Sequence, residues 1–187
     1  MPNVASVLRK GGIVVMLTDT VYGIMTRACD QKAVRRLYRI RRKTPQKPFI
    51  ILVDSLERLK EFGVVLTSAQ RAFLRRVWPG KVSVILPCTA KKFSYLHLGT
   101  KTLAFRLPRS RRLHELIKEV GPLVAPSANL EGEKPAQDIQ EARAYFGDAV
   151  ALYVSSVRKA DNVPSTLVSL LSEVPKILRK GSAIVKM

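Results

Sequence analysis

Residues 121–132 read GPLVAPSANLEG, and the rest of the chain is organised around this stretch. Gly121 ends a helical pattern, and Leu123 to Ala125 form a short apolar segment that reads as a buried strand end. Pro126 lacks the N–H that a sheet ladder needs, so the strand gives out there. Ser127 and Asn129 follow, two hydrogen-bonding side chains two residues apart. Open α/β sheets bind ligands outside the carboxyl ends of their strands, which makes this pair a candidate ligand-facing loop. The plainer alternative is that both side chains satisfy their own backbone in a turn.

Working outward, strand and helix signals alternate along the chain. Ile13–Leu17, Phe49–Val53, Val82–Leu86 and Thr102–Leu107 are apolar runs that predict strands. Asp30 caps a helix from Gln31 to about Arg42, Thr67 and Gln70 open a capping-box helix to Val77, and Ser110 caps one to Val120. Asp54 or Ser55 starts a short helix ending near Gly63, and Asp138–Phe146 is a further helix stopped by Gly147. Residues 87–101 read as the longest loop. Strands are expected at Ala149–Val154, Thr166–Leu170 and Lys176–Leu178, with one more at Ala183–Lys186. With no repeat and no linker, the pattern predicts one α/β domain over residues 1–187, its sheet twisted and mostly mixed, flanked by helices.

The 187 residues carry 33 Lys and Arg against 14 Asp and Glu, a formal net charge of +19. That balance argues for a polyanionic partner such as RNA or for phosphorylated substrates, presented to a basic concave face. The alternative is charge that serves solubility alone. Hydrophobic residues make up 47%, enough to exclude a disordered chain. Cys29 and Cys88 show no metal spacing. The first residues are too short and mixed for a signal peptide, and no apolar run approaches ~18 residues, so a cytoplasmic protein is expected.

Two features stand out as chemistry. Arg35, Arg36, Arg39, Arg41, Arg42, Lys43 and Lys47 form a basic cluster with no acidic member. Like charges at helical spacing repel, so unrelieved positive charge points to anion binding. Arg106 interrupts an apolar strand, where it needs an anionic partner or a solvent-facing side. A structural ion pair would satisfy it as well as a ligand carboxylate.

Seven separated pieces occur together in one order: Thr18-Asp19-Thr20-Val21-Tyr22-Gly23, Arg41-Arg42-Lys43 with Lys47-Pro48-Phe49, Trp78-Pro79-Gly80-Lys81-Val82-Ser83, Ala104-Phe105-Arg106-Leu107-Pro108, Ser127-Ala128-Asn129, Pro164-Ser165-Thr166, and Arg179-Lys180-Gly181. In that order the chain resembles the YrdC-type threonylcarbamoyl-AMP synthases, in their short single-domain form. Departures from the family pattern are Leu17 for Pro, Asp19 for Glu, Lys81 for the second Pro of Pro-Gly-Pro, an inverted Arg41 and Lys43, and Leu52 near a position where some members carry His.

The resemblance implies a YrdC-like fold and a reaction of L-threonine, bicarbonate and ATP to threonylcarbamoyl-AMP and pyrophosphate. That is the first step towards N6-threonylcarbamoyladenosine (t6A) in tRNA. It implies that Thr20, Arg106 and Ser165 bind threonine, and that Arg41, Lys43, Lys47, Thr102, Ser127, Asn129 and Arg179 bind ATP. Lys43 and Arg41 would act electrostatically, with no nucleophile assigned. ATP would be a substrate, with a divalent metal such as Mg whose ligands the sequence does not reveal. Expected partners are tRNA or double-stranded RNA, and later threonylcarbamoyl-transfer proteins. Two alternatives stand beside this reading: a non-catalytic RNA-binding protein of the same fold, and the YrdC-type module of hydrogenase maturation proteins. The second normally sits in a longer chain with zinc-finger cysteines, which this sequence lacks.

Overall fold

A computed structural model describes residues 3–41, 48–157 and 163–186. Strand β1 (Val14–Leu17) turns back into β2 (Tyr22–Arg27), antiparallel, with Val14 opposite Met25 and Leu17 opposite Tyr22. The intervening residues 18–21 form a hairpin turn. Helix α2 (Gln31–Ile40) follows, capped by the Asp30 carboxylate on the Ala33 N–H at 2.9 Å. It is succeeded by β3 (Ile50–Leu52), a 3-10 helix at Glu57–Phe62, α3 (Ser68–Val77) and β4 (Val82–Pro87). The predicted capping box opens α3, with Thr67 and Gln70 bonded reciprocally.

The chain continues through α4 (Ser94–His97), β5 (Thr102–Arg106), α5 (Arg111–Val120) and β6 (Leu123–Val124). It ends with α6 (Ile139–Phe146), β7 (Leu152–Val154), β8 (Thr166–Ser169) and β9 (Lys176–Arg179). Among the described residues, nine strands lie in the order β7-β1-β2-β6-β3-β5-β4-β8-β9. The pairs β1–β7, β3–β5 and β4–β8 are parallel and the other five are antiparallel, so the sheet is mixed, as the sequence predicts.

Alternation along the strands sends side chains to two apolar cores. Val14, Met16 and Met25 pack with Leu8 of α1 (Val4–Arg9) and with Leu113, Leu116 and Ile117 of α5. Val15 and Ile24 point to the opposite core, which holds Val34 and Leu37 of α2, Phe62, Leu74 and Phe105. Phe62 and Phe105 meet edge to face with centroids 5.1 Å apart.

Four expectations are corrected. The sequence reading passes over β2, because it is buried on both faces and carries no polar alternation; its identity comes from its partners, β1 and β6. The expected long loop at 87–101 contains a 3-10 helix at Lys91–Phe93 and α4, which bury Phe93 and Leu96. Neither Asp54 nor Ser55 is the N-cap of the short helix: Leu56 holds that position without a side-chain cap, the Ser55 hydroxyl accepts from the Arg58 N–H at 3.2 Å, and Asp54 ion-pairs with the Arg58 guanidinium at 2.8 Å. Residues 183–186 form no strand: the Ala183 carbonyl is taken by the Thr166 hydroxyl at 2.6 Å rather than by a sheet ladder.

Phe105 is fully buried in the central strand β5. Phe105→Ala should lower unfolding stability by about 3–5 kcal/mol in a urea titration, because a cavity adds to the lost transfer energy. An unchanged midpoint would show that the sheet centre collapses around the smaller residue.

Candidate functional site

The β1–β2 turn is built by one hydroxyl. Thr18 Oγ1 donates to the Val21 carbonyl at 2.7 Å and accepts from the N–H groups of Thr20 and Val21. The Thr18 and Thr20 hydroxyls lie 3.1 Å apart. The turn faces the end of β6, where the Pro126 carbonyl accepts from the Ile24 N–H at 3.0 Å and the Ala128 N–H donates to the Tyr22 carbonyl at 2.8 Å. A bridge between Gly23 and Ser127 therefore sets the 127–129 loop beside Thr20. Neither contact is visible as spacing in the sequence.

Between Thr20 and Ser127 opens a cavity of about 490 Å³. It is lined by Thr20, Arg41, Thr102, Arg106, Ser127, Ser165 and Arg179 among the residues singled out from the sequence. Pro48, Phe49, Ile85 and Leu178 contribute apolar wall. Three guanidinium groups line the cavity and, among the described residues, no carboxylate does. Lys43 and Lys47 lie outside the described residues.

Arg106 is the most buried of the three arginines, only 4% exposed at the end of β5. Its Nη1 lies 2.9 Å from Asp19 Oδ1 and 3.4 Å from Thr20 Oγ1. Asp19 Oδ2 in turn accepts from the Arg109 backbone N–H at 3.1 Å. Arg106 thus has the structural ion pair that the plainer reading called for, and it lines the cavity as well. Burial lowers its pKa, the Asp19 charge opposes that, and nearby Arg179 adds to the lowering.

Arg179, at the end of β9, donates from Nη2 to the Ser165 carbonyl at 2.9 Å. Burial lowers its pKa too. The Ser165 hydroxyl lies 2.8 Å from Ser83 on β4, a contact the sequence reading did not assign. A Cβ at Gly181 would run into the Pro164 carbonyl and the Ser165 backbone, so this glycine lets the segment after β9 lie against Ser165.

Arg41 caps the C-terminus of α2, its guanidinium over the Phe49 ring with the carbon 5.4 Å from the centroid. Nε donates to the Asn129 carbonyl at 2.9 Å and Nη2 to Asn129 Oδ1 at 3.1 Å. Burial pushes the Arg41 pKa down to about 10, which leaves it charged at neutral pH. Asn129 Oδ1 also accepts from the Ser127 hydroxyl at 2.6 Å, and its Nδ2 donates to the carbonyls of Leu130 and Glu133. Every polar group of the Asn129 side chain is committed to protein, so it positions Arg41 and Ser127. Asp19, Thr18 and Ser83 are the positioning groups that sequence reasoning missed. Asp19 and Ser83 stand inside quoted motifs, but nothing in their spacing tells which atoms they hold.

Among the described residues, no group of three or more His, Cys, Asp or Glu could hold a metal ion. No helix of the described residues is long and apolar enough to cross a membrane.

Comparison with known proteins gives one consistent result. A family described as "Telomere recombination", which groups Sua5, YciO and YrdC, matches residues 6–181. A threonylcarbamoyl-AMP synthase of Thiobacillus denitrificans is 32% identical over 95% of this chain and 94% of its own. One of Bacillus subtilis is also 32% identical, over 95% of this chain, which spans about half of that longer protein. Among solved structures, P. abyssi Sua5 complexed with L-threonine aligns with a TM-score of 0.87 at 28% identity, over 95% of this chain and 52% of that one. E. coli YciO aligns at 0.84 with 24% identity, over 97% of this chain and 89% of its own, and so shares the fold.

Removing the charge on Asp19 would strand a buried guanidinium. Asp19→Asn keeps an acceptor for the Arg109 N–H but should cost about 3–5 kcal/mol of stability in urea unfolding. Stability equal to wild type would mean that the ion pair holds nothing together.

Proposed function

The chain belongs to the Sua5, YciO and YrdC family, and on that premise we propose that it is a threonylcarbamoyl-AMP synthase. The observation that carries the reading is the convergence of Arg41, Arg106 and Arg179 on one cavity together with Thr20, Thr102, Ser127 and Ser165. A cavity with three cations and several hydroxyls suits a ligand set that is anionic throughout: a carboxylate, a carbonate-derived group and a triphosphate.

In this reading the threonine amino nitrogen bonds to the bicarbonate carbon with loss of water. An oxygen of the resulting carbamate then attacks the α-phosphorus of ATP. The bond to the β-phosphate bridging oxygen breaks, and pyrophosphate leaves with its electron pair. Arg106 pairs with the threonine carboxylate through its planar fork, and Thr20 and Ser165 hydrogen-bond the amino acid. Arg41 and Arg179, with Lys43 and Lys47 by resemblance, bind the phosphates and stabilise charge developing on phosphoryl oxygens. Thr102 and Ser127 contact the nucleotide through hydroxyls, and Asn129 acts by holding Arg41 and Ser127. Much of the acceleration comes from keeping three reactants together. A divalent ion such as Mg enters as part of the nucleotide substrate, because among the described residues no carboxylate lines the cavity to keep it resident.

The single-domain reading of residues 1–187 and a cytoplasmic setting follow from the same proposal. So does RNA as a partner, with the threonylcarbamoyl group later passed to tRNA by transfer proteins. The surplus charge supports it: Arg75, Lys91, Lys92, Arg111 and Arg112 are exposed and none lines the cavity.

The first test is pyrophosphate release. It should require ATP, threonine and bicarbonate together, and Arg106→Lys should raise the threonine KM more than it lowers kcat, because the fork is lost. Pyrophosphate released without threonine would overturn the reading. A second test titrates tRNA at low salt and again at ~200 mM KCl; log affinity should fall linearly with log salt by several units of slope. No binding at low salt would remove RNA from the proposal and leave the synthase intact.

A further inference from the structure

The floor of the candidate cavity is one face of the sheet. Thr102, Ala104 and Arg106 of β5, Ile85 of β4 and Leu167 of β8 all line it, as alternation along the strands requires. Ser83 belongs to the same face: it stands two residues before Ile85 and opposite Leu167 in the parallel pair of β4 and β8. Val84 pairs with Phe105, so Ser83 and Arg106 are the next positions on their two strands. Ser83 is nevertheless fully buried and forms no part of the cavity wall. Ser165, 2.8 Å from it hydroxyl to hydroxyl, does line the cavity.

The direction of that hydrogen bond follows from counting protons. Each hydroxyl has one proton and two lone pairs, and one of the two must donate. Among the described residues, Ser165 Oγ is the one partner of the Ser83 hydroxyl. With Ser165 as donor, the Ser83 proton would be buried without an acceptor, a penalty larger than the net gain from the bond. Ser83 is therefore the donor. Arg179 Nη2 approaches Ser165 Oγ at 3.5 Å, and a guanidinium can only donate. Both neighbours direct protons at Ser165 Oγ, so the proton of Ser165 itself is left for the cavity.

Ser127 has the opposite polarity. Its proton goes to Asn129 Oδ1 at 2.6 Å. The orientation of that amide is fixed, because Arg41 also donates to Oδ1 while Nδ2 faces two carbonyls. Towards the cavity Ser127 offers a lone pair and Ser165 offers a proton. Two residues of one type are made unlike by the groups behind them.

We propose that Ser83 is a specificity-determining positioning residue: it fixes Ser165 as a hydrogen-bond donor, so that Ser165 takes a carboxylate oxygen of the amino acid and not its amine. The choice of the carboxylate rests on the synthase reading, which seats that group on Arg106, the strand neighbour of Ser83. A carboxylate there accepts from Arg106 on one side and from Ser165 on the other.

The experiment is calorimetric titration of L-threonine, and separately of ATP, into the full chain and its variants, with folds checked by circular dichroism. S83A should weaken threonine by about three- to tenfold, the loss of one hydrogen bond, and leave ATP affinity unchanged. S83T should bind threonine like wild type. S83V has the shape of the threonine variant without its hydroxyl and should show the S83A loss, which keeps the comparison open should S83A fail to fold. In an S165A background S83A should cost nothing further, because Ser83 acts through Ser165. L-threoninol keeps the amine and lacks the carboxylate, so it should not distinguish S83T from S83V. Equal threonine affinity in S83T and S83V, an equal loss for ATP, additive losses with S165A, or a threoninol difference as large as that for threonine would each overturn the proposal while the synthase reading stands. A wild-type chain that binds no threonine would remove the synthase reading, and the carboxylate on Ser165 with it.

Discussion

The buried pair of Asp19 and Arg106 is the constraint on which the rest of the site depends. A guanidinium only 4% exposed at the end of a central strand is largely desolvated, and the Asp19 carboxylate in contact with it offsets that cost. That carboxylate sits on the tight turn between β1 and β2 and is anchored to the backbone ahead of α5. One ion pair thus ties the β1–β2 hairpin to β5, which stand apart in the sheet order. It also sets the direction of Arg106 towards Thr20 and the cavity.

A second junction works in neutral hydrogen bonds. Asn129 uses its carbonyl oxygen to take bonds from Arg41 and Ser127, and its amide to reach Leu130 and Glu133. Arg41 would otherwise be a flexible cation at a helix end. Clamped by Asn129 and covered by Phe49, it is presented to the cavity at little further cost in conformational freedom. Ser165 has the same kind of support from Ser83 and Arg179. The lining groups are therefore arranged before any ligand arrives, which is what electrostatic stabilisation of a charged transition state requires.

Positive charge is concentrated where burial makes it expensive. Arg41, Arg106 and Arg179 all have their pKa values lowered chiefly by desolvation, and Arg179 adds to the lowering at Arg106. Such an arrangement stores unfavourable energy that an entering anion relieves. Asp19 relieves part of it permanently at Arg106, while Arg179 is bonded to carbonyl and hydroxyl oxygens of Ser165. The difference sorts the arginines: Arg106 is held as a structural partner that also faces the ligand space, the Glu131 charge opposes part of the desolvation at Arg41, and Arg179 is bonded to the neutral oxygens of Ser165.

The sequence by itself determined the elements whose signals are local. Capping residues Asp30, Thr67 and Ser110 each begin the helix they predict, because a cap is a contact within four residues. The mixed α/β class followed from the alternation of these helices with apolar runs, and seven of the site residues that the resemblance implied line one cavity. Tertiary structure alone decided the rest. β2 is a strand because β1 and β6 flank it, and its sequence has no alternation to announce that. Asn129, read as a ligand group, spends its whole side chain on Arg41, Ser127 and two carbonyls. Asp19 stood in a quoted motif with no partner assigned, and its partner, Arg106, lies far along the chain. Periodicity records which face a residue occupies, but not which distant charge will lie opposite it, and burial makes that pairing the larger energy.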